Sequence, residues 1–285
     1  MTAIQMCTIN TAEHFGLTRE LGMIAPGRWA DVLIVGDLRN FRAEAVIAKG
    51  QVIAQNGKWQ VELPDVKHPK WVTDSVHLKR PLKPEDFKIN VESRKSKVKV
   101  NVIGVIENQA PTRHLTFDLE PVNGELLADT KRDLAKIALV ERHEGTGRIQ
   151  LGLVSGFGFT RKCGIASTVA HDSHHMIVVG TDEASMAAAA QSLARSGGGQ
   201  AVALDGEVIA RVELPIAGLM SNERADAVAE KAASVLRGFM QCGCELNNPN
   251  MQLSLLALVV IPELRISDLG LVDVTKFEFV PLLEE

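Results

Sequence analysis

The sequence predicts an α+β protein: a small β-rich unit, a connector, then a larger domain of mixed or antiparallel sheet with two substantial helices. Three observations carry this expectation. Short apolar runs bounded by Asn, Gly and Asp turns recur on both sides of a proline-rich stretch. Beyond the N-terminus, helical spacing appears in DEASMAAAAQSLARS and in the stretch from about Asn222 to Met240. The length of 285 residues suits roughly two domains.

Residues 1–21 open with helical spacing, because Ile4, Cys7, Thr8, Thr11, Ala12 and Phe15 share one face over Thr2–Phe15. Gly16 and Gly22 supply the stops. Residues 22–61 read as the small β-unit. Pro26-Gly27 turns the chain, and Asp31 to Val35 is a buried strand. AEAVIAKGQVIAQNGKW is two β-runs about a tight Lys49-Gly50 turn, with a further turn at Asn56-Gly57. Residues 62–89 carry Pro64, Pro69, Pro81 and Pro84 without a clear period, so they read as an irregular connector. His68 and His77 fall in it and read as surface histidines.

Residues 90–285 form the main domain. VKVNVIGV, RHLTFDLEPV, AKIALVERH and IQLGLVSGF are strands, and MIVVG leads into the first long helix, stopped by Gly197-Gly198-Gly199. Two strands flank Asp205-Gly206. The second long helix has Ser221 or Asn222 as its N-cap, with Glu223 in the first turn. CGCELNNPN is a polar turn, and a closing pair of apolar segments ends the chain.

Composition narrows the function classes. Charged residues are 23% and the net charge is -4, which gives no electrostatic reason to expect nucleic acid as a partner. The basic run SRKSKVKV, Ser93 to Val100, reads as a solvated strand entrance. Cys7, Cys163, Cys242 and Cys244 contain no C-x-x-C pair and no disulfide framework. Cys242 and Cys244 stand too close for usual zinc spacing. The N-terminus has no signal-peptide pattern. LSLLALVVIPEL is too short for a membrane span and contains Pro262. A cytoplasmic protein with no membrane partner is expected.

Two stretches carry chemistry. In IASTVAHDSHH, Ile165 to Ala170 is expected to form a short helix. Continued helical geometry would place His171 with His174 or His175 on one face, close enough to share a metal ion. Asp172 beside an imidazole also suits proton transfer. A polar turn built on Asp172 and Ser173 is the structural alternative. A metal site needs further ligands that the local sequence does not supply. In SGFGFTRKCG, Gly156 and Gly158 flank Phe157 but miss the dinucleotide fingerprint. Either this is a flexible loop, or its glycines let the backbone approach a planar ligand on which Phe157 stacks. The loop is the plainer reading, and nearness in sequence to the histidines adds weight to the second.

Together, SGFGF, IASTVAHDSHH, IVVGTD, LPIAGLMS and VIPELRISDLGLVDV, with TINTAEHFGL and LGMIAPGRWADVLIV at the front, resemble the C-terminal half of the adenine deaminase family. That family lies in the amidohydrolase superfamily. The front motif is common to many amidohydrolases, and the later ones are particular to adenine deaminases. The resemblance implies conversion of adenine and water to hypoxanthine and ammonia in purine salvage. It implies a (β/α)₈ barrel holding a divalent metal, manganese or iron, that activates water for attack on purine C6. Residues 1–21 would be the last barrel helix and 22–61 the remnant of the composite β-domain.

The family's metal ligands come from a His-x-His motif, later histidines and a late aspartate, all in the barrel. No His-x-His occurs in this sequence, and a barrel takes about 200 residues or more. The catalytic barrel is therefore expected to be largely absent, and no residue here is expected to ligate metal. His171, Asp172 and His174 are the candidate catalytic residues, closing the active site, touching substrate or orienting water. His175 is expected to matter less. Phe157 and Gly158 are the candidate substrate contacts. Phe15 and Leu17 are expected to be exposed for want of barrel partners. The expected partners are adenine and either a homo-oligomer or a separately encoded barrel half. The isolated chain is expected to be inactive. A non-catalytic structural or dimerisation module, or another metal-dependent amidohydrolase, are the alternatives.

Overall fold

The computed structural model describes residues 1–64, 66–92 and 96–284. The chain separates into two compact units, Met1–Lys67 and His68–Glu285. No helix among the described residues is long and apolar enough to cross a membrane.

In the first unit, α1 (Thr2–Met6) and α2 (Ile9–His14) replace the single helix expected over Thr2–Phe15. The break falls at Cys7 and Thr8. There the Thr8 hydroxyl donates to the Ile4 carbonyl at 2.6 Å, a back-bond that bends or ends helices. Ala12 is the buried residue of this pair. Gly22, at φ +99°, packs against it, and a Cβ there would come within 2.7 Å of the Ala12 methyl. Strands β1 (Val32–Val35), β2 (Ala43–Ala48), β3 (Gln51–Gln55) and β4 (Lys58–Trp59) form an antiparallel sheet in that order. Lys49 and Gly50, both at positive φ, make the tight turn between β2 and β3. The unit is poorly covered: Phe15 is 68% exposed, and Leu17, Leu33, Ile34, Val52 and Trp59 are exposed as well.

The second unit opens with α3 (Lys70–Thr73) and a 3-10 turn over Pro84–Phe87. Leu82 and Phe87, within the proline-rich stretch, are buried in its core. Five strands follow: β5 (Ile89–Asn90), β6 (Val98–Val105), β7 (Thr112–Leu119), β8 (Glu125–Leu126) and β9 (Leu134–Val140). Next come β10 (Ile149–Ser155), β11 (Cys163–Ser167), β12 (Met176–Gly180), α4 (Glu183–Ser196), β13 (Gly199–Leu204) and β14 (Glu207–Glu213). The chain closes with α5 (Ala225–Gln241), α6 (Pro249–Leu255), β15 (Leu264–Ser267), β16 (Gly270–Asp273), β17 (Glu278–Val280) and β18 (Leu283–Glu284). Among the described residues the main sheet has nine strands, ordered β14-β13-β11-β12-β9-β10-β6-β18, with β7 beside β6. Its pairings are antiparallel apart from β10 with β6. This is an α+β fold, and no barrel closes among the described residues. Of the basic run, residues 93–95 lie outside the described residues, and Val98 begins β6.

Period-two alternation gives the sheet two buried faces. Ile137, Leu139, Ile165, Val179 and Val202 face α5, α6 and β15–β16, meeting Phe239, Leu253 and Leu264. Ala138, Ala166, Val178, Ala201 and Ala203 face α4, meeting Met186, Ala190 and Leu193. The small residues on that face let α4 approach closely. A Cβ on Gly164 would lie 2.3 Å from the Met186 nitrogen.

Three local expectations change. Ile165 to Ala170 is not a helix: Ile165 to Ser167 lies in β11, whose residues are all buried. A five-residue apolar run is too short for periodicity to separate the two states, and burial on both faces selects the strand. The second long helix starts at Ala225 with Arg224 at the cap position, while Ser221 instead accepts the Glu223 N–H in a local turn. The end of CGCELNNPN starts α6, because the Asn248 side chain caps the Met251 N–H and Pro249 suits the first helical position.

Candidate active site

Strand register decides which candidate residues meet. Val140 of β9 faces Met176 of β12 and Ile149 of β10, while Leu134 faces Ser155. The histidine loop enters β12 at Met176 and so lies at the Val140 end. SGFGF leaves β10 at Ser155 and so lies at the Leu134 end. The length of β9, Leu134–Val140, separates them, ~20 Å at about 3.3 Å per residue. Phe157 and Gly158 are not brought to His171, Asp172 and His174, despite their nearness in sequence.

At the Leu134 end the glycines have a local cause. Asp133 accepts the N–H groups of Gly156 and Gly158, each at 2.7 Å, and both glycines sit at positive φ. Phe157 is buried and stacks on Phe159, with centroids 5.2 Å apart and planes at 3°. Its ring is turned into the core. The stacking on a planar ligand expected from the sequence has no open ring face, and both N–H groups already have their acceptor.

At the Val140 end, five of the eight histidines gather: His77, His143, His171, His174 and His175. Residues 171–173 form a turn. The His171 N–H donates to the Ser254 carbonyl of α6 at 2.9 Å. His174, at φ 53°, donates its N–H to the Ala170 carbonyl at 2.7 Å. In return the Ala170 N–H donates to His174 Nδ1 at 3.3 Å, which leaves the proton of the neutral ring on Nε2. The rings of His171 and His174 meet edge-on at 5.2 Å and 71°. Burial lowers the His174 pKa, His171 and Arg142 lower it further, and Asp172 opposes them. The balance favours the neutral imidazole of His174. Asp172 itself is exposed at the turn.

His175 is the buried member of the cluster, at 8% exposure. Its ring lies 4.8 Å from His143 and its Nε2 3.8 Å from Asp268. Its Nδ1 has no hydrogen-bond partner among the described residues. Burial, then His143, lower its pKa against the pull of Asp268 and Glu141.

Arg142 and Glu141, just past β9, hold this end together. Arg142 is 1% exposed. It donates to the carbonyls of His174 at 2.6 Å, Ser75 at 2.6 Å and Ala217 at 3.1 Å. Burial pushes its guanidinium down to about 10 while Glu141 opposes, so it stays charged at neutral pH. Burial pushes the Glu141 carboxyl up, but the N–H groups of Glu144, Thr146 and His143 and the Thr146 hydroxyl outweigh it and hold it at about 2. Sequence reading missed Glu141, Arg142 and His143 by taking AKIALVERH as one strand, whereas His77 is exposed, as expected. The available signal was three consecutive polar residues directly after a fully buried seven-residue strand.

Among the described residues no three His, Cys, Asp or Glu side chains are arranged to hold a metal ion. His174 Nδ1 and His143 Nε2 already have backbone partners. A cleft of about 460 Å³, lined by residues including Lys97, Asp118, Leu127 and Arg132, contains none of the five histidines.

Residues 109–278 match the family described as adenine deaminase C-terminal domain. Residues 1–53 match the amidohydrolase family. The chain is 55% identical over 284 residues to the adenine deaminase of Roseobacter denitrificans, covering 100% of this chain and 47% of that protein. It is 56% identical over 283 residues to that of Paracoccus denitrificans, covering 99% and 47%. It is 49% identical over 282 residues to that of Moorella thermoacetica, covering 99% and 47%. The chain thus spans about half the length of the curated relatives it matches.

Proposed function

Because the chain belongs to the adenine deaminase C-terminal domain family, we propose that it forms the second half of a cytoplasmic adenine deaminase of purine salvage. The reaction adds water to purine C6 and expels the amino group, so adenine and water become hypoxanthine and ammonia. The observation that supports a direct role is the state of His174. Its Nδ1 is occupied by the Ala170 N–H and its pKa is lowered, which leaves one Nε2–H donor on a neutral ring. Such a donor suits a purine ring nitrogen or a water oxygen. His171, edge-on to it, and Asp172, on the same turn, complete the wall that this chain contributes.

The family also implies a divalent metal, manganese or iron. The residues of the histidine cluster do not fit one, since their arrangement offers no set of three ligands. No step is assigned to a metal on this chain, and its ligands are proposed to lie outside these residues. The partner proposed for it is an amidohydrolase barrel. The exposed Phe15, Leu33 and Trp59 favour a second reading, a docking or dimerisation module without chemistry of its own.

The test is hypoxanthine formation by this chain alone, and by this chain mixed with the N-terminal half of the Roseobacter relative, each with manganese or iron. Turnover is expected in the mixture alone. Turnover by the pure chain would contradict the proposal. A complex that forms and turns over unchanged when His171, Asp172 and His174 are replaced would select the docking module.

A further inference from the structure

We infer that Arg142 and His143 form a latch that positions the histidine loop, residues 171–175. The inference rests on reading that loop as an active-site wall. Neither latch residue is assigned to contact substrate.

Two consecutive residues capture two consecutive carbonyls. Arg142 Nε donates to the His174 carbonyl at 2.6 Å, and His143 Nε2 donates to the Ser173 carbonyl at 2.8 Å. Register explains how they reach it. Val140 is paired with both Ile149 and Met176, so the residues that follow Val140 emerge beside the loop that precedes Met176. Fixing the two carbonyls that flank the His174 α-carbon restricts rotation about its φ and ψ. The rings of His171, His174 and His175 branch from the backbone so held.

The latch is itself braced. The carbonyl of Arg142 accepts the His77 N–H at 2.7 Å, and the carbonyl of His143 accepts His77 Nδ1–H at 2.8 Å. Glu141 accepts the backbone N–H groups of His143, Glu144 and Thr146, which closes the turn that carries His143. The remaining Arg142 donors reach Ser75 and Ala217. One planar guanidinium therefore ties the histidine loop to the segments after α3 and after β14. A lysine ammonium is a point charge without that fork. Gly218, beside Ala217, lies against the guanidinium, and a Cβ there would approach Arg142 Nη2 to 2.9 Å.

A residue that only stabilises the fold would not alter the imidazoles selectively. The test is therefore spectroscopic, on the full chain with ¹⁵N-labelled histidine and glycine, comparing His143→Ala, His143→Gln and Arg142→Lys with the parent. His143 is exposed, so its variants fold even where Arg142 variants do not. The amides of Gly156 and Gly158, held by Asp133 at the other end of β9, serve as the internal control and should not move. His143→Ala and Arg142→Lys are expected to shift the ring-nitrogen lines of His171 and His174. They should also speed amide exchange at His174 by roughly fivefold or more, the scale of one lost hydrogen bond. Glutamine, which places an N–H near the position of Nε2, is expected to return the His171 and His174 lines to their parent positions. Unmoved lines in both His143→Ala and Arg142→Lys, or glutamine behaving like alanine, would overturn the latch. These lines are read without turnover, so their failure rejects the latch, whereas a failed deamination assay rejects the reading of the loop on which it rests.

Discussion

Arg142 and His174 stand 32 residues apart in sequence, yet the Arg142 Nε–H meets the His174 carbonyl at 2.6 Å. The bond joins the end of β9 to the loop that opens β12, and it makes a buried cation part of the setting in which His174 titrates. The stability of this end of the sheet and the chemistry of the loop are coupled through it.

Glu141 should give the fold an acid-sensitive step. Its folded pKa, about 2, lies below its ordinary value of 4.5. Stability from this group is therefore fully present above pH 4.5 and is lost as pH falls toward 2. Glu141→Gln is expected to lower the unfolding free energy measured in urea at pH 7 by about 1 to 3 kcal/mol, for the charge-assisted bonds it weakens. It should also flatten the loss between pH 4.5 and 2. An acid limb as steep in the variant as in the parent would contradict this.

Gly218 occupies a position where only glycine suits both backbone and neighbour. Its φ is +72° and a Cβ would press on the Arg142 guanidinium. Gly218→Ala should cost about 1 to 2 kcal/mol for the left-handed backbone, with more for displacing Arg142. Equilibrium denaturation at neutral pH measures it. An unchanged midpoint would show that the guanidinium is not held where the carbonyl distances place it.

Asp133 separates the two ends of the sheet experimentally. Asp133→Ala removes the acceptor for Gly156 and Gly158 and is expected to cost about 2 to 3 kcal/mol. The histidine loop lies a strand length away, ~20 Å, so the ring-nitrogen lines of His171 and His174 should stay in place. If they move, SGFGF and the histidines are one site after all.

Phe15 tests docking of the first unit. At 68% exposure its replacement by Asp should change the chain's own stability by no more than about 0.5 kcal/mol. Assembly with an added barrel half should weaken in a titration by ultracentrifugation. Equal assembly by parent and variant would remove Phe15 from the interface.

The α+β class, three of the four short strands of the first unit and both long helices were legible because periodicity, glycine turns and the Gly197 stop act locally. Ile165 to Ser167 was not, since an apolar run of that length reads as helix or strand until a nine-stranded sheet buries both its faces. The candidate site divided the same way. His171 and His174 stood out as a dense polar cluster, and they do meet. Phe157 and Gly158 seemed close only along the chain, and β-register carried them to the other end. Arg142, His143 and His77 were silent, because their partners are backbone carbonyls 30 to 75 residues away, and no sequence spacing records such bonds.

The most direct measurement is kcat together with bound metal for the enzyme reconstituted from this chain and a barrel half, with His171, Asp172 and His174 changed singly to Ala. An outer group that positions water or substrate costs rate at full metal occupancy, roughly 10- to 100-fold. The expected result is that loss with unchanged metal content, and a smaller loss for His175→Ala. Rates within about twofold of the parent, under roughly 0.5 kcal/mol of barrier, would make the loop a polar turn. Metal content falling in step with rate would make these residues ligands and contradict the placement of the metal outside this chain.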